Sequence, residues 1–176
     1  MIDVVPFSNP YLAGVVDVIL PIQQSEFDIP ITLDSQPDLL DIPGFYQKGN
    51  GNFWVALHGT EVVGTTSLLD IGNSQGALRK MFVKAPFRGH RYGVALRLLE
   101  VLLRWCSEKG VRDIFLGTTP KFLAAHRFYE KNGFLEIPQS ALPDAFPIMS
   151  VDKKFYRRAL GKDDAQELVG RIRRTP

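Results

Sequence analysis

The run over residues 78–106, LRKMFVKAPFRGHRYGVALRLLEVLLRWC, constrains the fold more than any other stretch. It joins, without a gap, a short apolar segment (Met81, Phe82, Val83), a turn rich in basic residues and glycine (86–93), and a long amphipathic helix. A strand that feeds a glycine-bearing turn opening a helix builds an anion cradle. The first turn of a helix carries amide N–H groups with no backbone partner, and the helix dipole adds partial positive charge there. Gly89 and Gly93 let the backbone approach a bulky anion because no Cβ intervenes, and Arg88 and Arg91 bring full charges beside it. The pattern predicts a grip on a phosphorylated ligand, with chemistry next door.

The 176 residues fit one domain, or one domain with a tail, and 45% hydrophobic content is enough for a sizeable core. A net charge of +2 is too small to argue for nucleic acid. The basic residues near the end (Lys153, Lys154, Arg157, Arg158, Arg171, Arg173, Arg174) are interrupted by Asp163, Asp164 and Glu167, so they read as a solvated face. The single cysteine, Cys106, excludes an internal disulfide and falls in the helix pattern as a buried thiol. Cys106 and the three histidines have no metal-ligand spacing. With no signal-peptide pattern and no apolar stretch of membrane-spanning length, a cytoplasmic protein without membrane or nucleic-acid partners is expected.

Alternation predicts a first strand over 1–7, then a helix that starts at Ser8-Asn9-Pro10 and ends or kinks at Pro21. Residues 29–41, with Pro30, Pro37 and several acids, read as a loop with a short helix near 36–41, placed over a site. Three strands of a meander follow at 53–58, 62–69 and 77–83, separated by turns at 58–61 and 70–76. After the cradle, Ala95, Leu98, Leu99, Leu102 and Cys106 mark the inner face of the helix, which Lys109 and Gly110 stop. A strand at 111–116 then lies parallel to the third meander strand, because strand, helix and strand in this order make a crossover. Thr119-Pro120 starts a further helix closed by Asn132-Gly133, and strands at 134–137 and 148–156 complete the sheet. Residues 157–176 read as a charged tail or surface helix.

The turn Arg88-Gly89-His90-Arg91-Tyr92-Gly93 resembles the acetyl-CoA-binding turn of the GNAT superfamily of N-acetyltransferases, of the form Arg/Gln-x-x-Gly-x-Gly/Ala. Residues 125–134, AHRFYEKNGF, are similar to that family's second signature, and one helix plus one strand separates the two. The resemblance covers residues 1–156, taken as an acetyltransferase domain, with 157–176 as a C-terminal tail. It implies an α+β fold in three layers. A mixed, mostly antiparallel twisted sheet of six to seven strands is flanked by about four helices, and the two central parallel strands splay apart. The sequence departs from the family pattern at Arg91, where a glycine is usual, and at Phe122, where many members carry an asparagine. Arg91 implies either a backbone that keeps negative φ or a reshaped turn. Phe122 leaves the pantetheine arm to Thr118, Thr119 or main-chain groups.

What the resemblance implies for function is an N-acetyltransferase that moves an acetyl group from acetyl-CoA directly to a primary amine of a small molecule or peptide. No acyl-enzyme and no metal take part, and a homodimer is compatible. The alternative is an acyl-CoA-binding sensor or interaction module with little catalysis. Met81, Phe82 and Val83 are expected to hydrogen-bond pantetheine and acetyl carbonyl through their main chain. The amides of Arg88, Gly89, His90, Arg91, Tyr92, Gly93 and Val94 are expected to hold the pyrophosphate, with Thr119 and Phe128 also at the cofactor. Spacing alone makes Tyr129 a core aromatic; the motif makes it the general acid for the leaving thiolate. Glu26 is the favoured general base, with Glu61, Asp70 and a water chain as alternatives. His90 reads as a phosphate neighbour, His126 as solvent-facing and His58 as structural. The acids Asp28, Asp34, Asp38 and Asp41 suggest a cationic acceptor or, equally, a solvated loop.

Overall fold

The computed structural model describes residues 1–161. In chain order its elements are β1 (Ile2–Pro6), α1 (Leu12–Pro21), α2 (Pro37–Leu40), α3 (Ile42–Tyr46), β2 (Asn52–His58), β3 (Glu61–Gly72), β4 (Gln75–Val83), α4 (Val94–Lys109), β5 (Asp113–Thr118), α5 (Leu123–Lys131), β6 (Leu135–Ile137) and β7 (Lys154–Ala159). The seven strands form one mixed sheet in the order β1-β2-β3-β4-β5-β7-β6. Every neighbouring pair is antiparallel except β4 and β5.

Strand alternation gives the sheet two apolar faces. On one, Trp54, Ala56, Val63, Leu78, Ile114 and Leu116 pack with the α4 stripe Leu98, Leu99, Leu102, Leu103 and Cys106, and with Tyr129 and Phe134. Burying each large side chain of that stripe stabilises the fold by about 1.5–3 kcal/mol. On the other face, Phe53, Val55, Leu57 and Val62 pack with Val15, Val18 and Ile19 of α1 and Tyr46 of α3. A smaller cluster of Ala77, Phe115, Phe146 and Phe155 continues where α1 to α3 no longer reach.

The parallel pairing of β4 with β5 covers only residues Gln75 to Ala77 against Asp113 to Phe115. Beyond it the two strands part, so the β5-facing side of β4 from Leu78 onward has no ladder. A bulge helps to bend β4 away. Between Thr65 and Ser67 on β3, β4 runs from Phe82 back to Arg79, one residue more than β3. Lys80 sits at the bulge with φ +55, a left-handed backbone on a non-glycine residue. Such strain costs on the order of 1–3 kcal/mol and persists only where surroundings hold it. Here Thr65 Oγ1 donates to the Lys80 carbonyl at 2.7 Å.

Several expectations are revised. Pro21 is the last α1 residue, as expected, but the chain behind it continues as a wide helical turn over Ile22–Glu26. The α3 turn was not expected; Asp41 caps it by accepting from the Gly44 N–H at 3.0 Å. The last strand starts at Lys154, not at 148, because Met149 and Asp152 close a turn through reciprocal bonds, Asp152 N–H to the Met149 carbonyl at 3.0 Å and Met149 N–H to Asp152 Oδ2 at 3.1 Å. The expected domain boundary at 156 therefore falls inside β7, which runs to Ala159. The charged tail beyond residue 161 lies outside the described residues. Five α-helices flank the sheet among the described residues, two of them short turns. None is long and apolar enough to cross a membrane.

Candidate active site

The parting of β4 and β5 opens a cavity of about 950 Å³ that passes through the sheet. The cradle over residues 88–93, the first turn of α4, and α5 wall one end. Ile22, Phe27, Ile29, Phe146, Met149 and Asp152 wall the other. The two ends lie on opposite faces of the sheet. Leu116 packs with Tyr129 and α4, whereas Phe115 packs with Phe146 and Phe155. Gly117 shares the side of Phe115, since side chains alternate along a strand.

The cradle is built as the sequence implied. Gly89 and Gly93 adopt φ +84 and +59, and a Cβ at either would meet nothing within 4 Å, so both face open space. Gly93 is the N-cap of α4, no side chain caps that helix, and its first turn holds no acid. The amides of the first turn therefore have no side-chain cap. Arg91 keeps negative φ, absorbing the missing glycine, and its guanidinium lies 5.3 Å from the Tyr92 ring centre. Arg88 donates Nε–H to the Val83 carbonyl at 2.8 Å, which ties the turn to the end of β4.

Met81, Phe82, Val83, Thr119, Phe128 and Tyr129 all line the cavity. Val94 does not: its side chain is buried under Gly64, leaving only its amide for the cradle. Tyr129 sits among Phe128, Phe134 and Tyr156, with ring centres 5.5–6.1 Å apart, and burial pushes its phenol well above the ordinary value. It therefore carries its proton at neutral pH. Phe122 stacks edge-on to Phe27 at 4.4 Å and to Phe82 at 6.0 Å, an apolar wall across the splay where the family pattern has an amide.

The geometry opposes Glu26 as a base. Its carboxylate grips Arg88 with both oxygens, one contact at 2.7 Å between Nη2 and Oε2, the other between Nη1 and Oε1. That hydrogen-bonded pairing holds its pKa below the usual carboxylate range, and Glu26 does not line the cavity. Glu61 pairs with Lys84 at 2.8 Å on the surface, and Asp70 accepts from the Asn50 and Gly72 amides at 3.0 and 2.9 Å. Neither lines the cavity. His126, expected in solvent, is buried with Nε2 at 3.0 Å from the Thr119 carbonyl. His58 packs on Phe87 and Tyr92, and His90 lines the cradle. Cys106 is buried in the α4 core, where desolvation pushes its thiol up to about 12. Among the described residues no group of His, Cys, Asp and Glu could hold a metal ion.

A charged cluster at the far end was not expected. Asp38, read as a loop acid, is 3% exposed and accepts from Tyr46 Oη–H at 2.6 Å. Lys80 Nζ lies 3.4 Å from Asp38 Oδ2 and donates to Gln36 Oε1 at 2.5 Å, and Gln36 in turn pairs with Gln23. Arg79 Nη2 lies 3.8 Å from Asp38 and donates to Met149 Sδ at 3.5 Å. Of the four loop acids, Asp38 is paired internally and Asp41 caps α3, whereas Asp28 and Asp34 are exposed. The signal was present: the basic pair Arg79-Lys80 interrupts the alternation of an otherwise half-buried strand.

The comparisons agree with this geometry. The model described as the acetyltransferase (GNAT) family matches residues 17–134. A GNAT-family acetyltransferase from Staphylococcus aureus Mu50 superposes with a TM-score of 0.88 at 38% identity, over 92% of this chain and 100% of that one. An N-acetyltransferase from Thermoplasma acidophilum solved with coenzyme A shares the fold alone, with a TM-score of 0.68 at 13% identity over 91% and 99%. Rattus norvegicus N-acetyltransferase family 8 member 2 is 33% identical over 104 residues, 56% of this chain and 45% of its own, so the chain spans less than half that relative's length. Cradle, splay and family match converge, and the chain belongs to the GNAT family of acetyltransferases.

Proposed function

We propose that the chain transfers an acetyl group from acetyl-CoA directly to a primary amine of a small molecule or peptide. The observation that carries this reading is a continuous cavity that joins an uncapped helix N-terminus to an open strand edge through the sheet. The residues present fit coenzyme A. The open glycines of the cradle admit a diphosphate against the α4 amides, and Arg91 and Arg97 stand beside it in the cavity wall. The β5-facing edge of β4 has no ladder over Met81, Phe82 and Val83, and it offers the N–H and C=O groups that point away from β3, apart from the Val83 carbonyl held by Arg88, to an extended, amide-bearing arm, as a missing strand would. Thr119 and Phe128 border the same passage. The coenzyme supplies the activated acyl group; the protein supplies orientation, dryness and proton transfer.

In this reading Tyr129 gives its proton to the departing sulfur, which is supported by its place in the lining on the cradle side and by the proton it retains. Direct attack by the amine is supported by the lining, which holds no cysteine or serine among the described residues. Glu26, set against Arg88, acts in this reading as an anchor for the cradle rather than as a base. The test is a spectrophotometric screen of primary amines with acetyl-CoA, reading free thiol. Amine-dependent thiol release is expected. Tight acetyl-CoA binding with no release from any amine would leave a sensor module instead.

A further inference from the structure

We propose that Asp152 is the proton acceptor for the incoming amine. The proposal rests on the acetyl-transfer reading above and assigns the role that Glu26 cannot fill. Among the described residues, Asp152 is the one carboxylate lining the cavity. It lies against Gly117 so closely that a Cβ there would stand 2.6 Å from Asp152 Oδ2. Gly117 is in the part of β5 that has left β4, on the face opposite Tyr129. Acid and base thus flank the splay from its two sides, so an amine entering past Phe146 and Met149 meets Asp152 while the sulfur stays with Tyr129.

The groups around Asp152 suit this task. Its Oδ2 accepts one bond, from the Met149 amide at 3.1 Å, which fixes the carboxylate without using all its lone pairs. Burial raises its pKa, while that amide and the charges of Arg79 and Lys80 pull it down less strongly. Asp38 takes up much of the positive charge of those two cations. Lys80, its side chain buried in the same cluster as Asp38, donates to Gln36 and pairs with Asp38. A carboxyl poised above its usual range is a better base than a free aspartate, because basicity follows pKa.

The step balances. The acceptor arrives as an ammonium and gives one proton to the Asp152 carboxylate. The freed lone pair forms the N–C bond at the thioester carbonyl carbon. The C–S bond breaks with its electron pair on sulfur, which takes a proton from Tyr129. The second nitrogen proton leaves as the amide forms and matches the one Tyr129 gave up. The proton on Asp152 returns to solvent.

The experiment compares the full-length wild-type chain with Asp152→Asn and Asp152→Glu, using a panel of primary amines led by glycinamide and ethanolamine. It reads kcat/KM against pH, acetyl-CoA binding by calorimetry, and Tm. For Asp152→Asn, unchanged acetyl-CoA heat and a loss of roughly 10²–10⁴-fold at pH 7 are expected, the range for a lost general base. The loss should shrink as pH approaches the amine's own pKa, where the acceptor arrives already deprotonated. A loss under about twofold, or one equal at every pH, overturns the proposal. If Asp152→Asn does not fold, Asp152→Glu decides: a shifted acidic limb is expected, and an unshifted limb overturns it. In the wild type, acetyl-CoA heat without turnover of any amine would leave a sensor module and so remove the acetyl-transfer reading and the role of Asp152 together, and neither heat nor turnover would remove coenzyme binding as well. Turnover by the wild type that Asp152→Asn retains overturns the role of Asp152 alone.

Discussion

Gly117→Ala tests the geometry of the splay with one methyl group. The new Cβ would stand 2.6 Å from Asp152 Oδ2, 2.8 Å from its Cγ and 3.1 Å from its Cβ, whereas ordinary contact begins near 3.4 Å. The carboxylate must therefore retreat by about 0.8 Å. Retreat is hindered because Asp152 is held to Met149 at both ends, through its side chain at 3.1 Å and its own amide at 3.0 Å. Overpacking of this kind costs about 1–3 kcal/mol, which for a chain this size lowers Tm by roughly 2–12 °C. Gly117 has no positive φ, so alanine adds no backbone strain. A misplacement approaching 1 Å is worth up to about 10²-fold in rate. The assay is thiol release with a turned-over amine, beside acetyl-CoA calorimetry and a crystal structure of the variant. Reduced kcat with unchanged acetyl-CoA heat is expected. A displaced carboxylate with undiminished kcat would refute the catalytic reasoning, and an undisplaced one with unchanged Tm would refute the packing argument.

Other perturbations follow from the same geometry. Tyr129→Phe should fold with near-normal Tm, keep acetyl-CoA affinity and lose roughly 10²–10⁴-fold in kcat; unchanged turnover removes Tyr129 from the mechanism. Glu26→Gln should keep kcat within about threefold, because its carboxylate is a partner of Arg88 and not a base; a loss beyond about 10²-fold would restore it as one. Asp38→Ala should cost about 3–5 kcal/mol in urea unfolding, since it strands Lys80, whose side chain is 7% exposed, without its counter-charge. A cost below about 1 kcal/mol would show that Lys80 releases its charge or finds water.

The cradle and its helix were legible because their physics is local. Glycines at left-handed positions, an apolar stripe at spacings of three and four, and a stop at Gly110 are all written in contiguous residues. The order of the central strands β2-β3-β4-β5 followed from the meander and one crossover, whereas the insertion of β7 between β5 and β6 did not. The far end of the cavity was not legible, because its parts meet only through tertiary packing. Asp38 and Lys80 are 42 residues apart, yet share a buried cluster. Asp152 follows a proline-bearing loop and precedes β7, and nothing in its neighbours sets it apart from a solvated aspartate. Glu26 misled for the converse reason: its position after the first helix was right for the site's edge, but its partner Arg88 lies 62 residues on. His126 was misjudged because the turn before α5 brings the Thr119 carbonyl under its ring.

The most direct test of the central claim is calorimetry of acetyl-CoA binding to the full-length chain, repeated with inorganic pyrophosphate present. The account predicts a saturable one-to-one heat that pyrophosphate weakens by competing for the α4 amides and that Arg88→Glu diminishes further. No heat, or a heat indifferent to both pyrophosphate and Arg88→Glu, would contradict it.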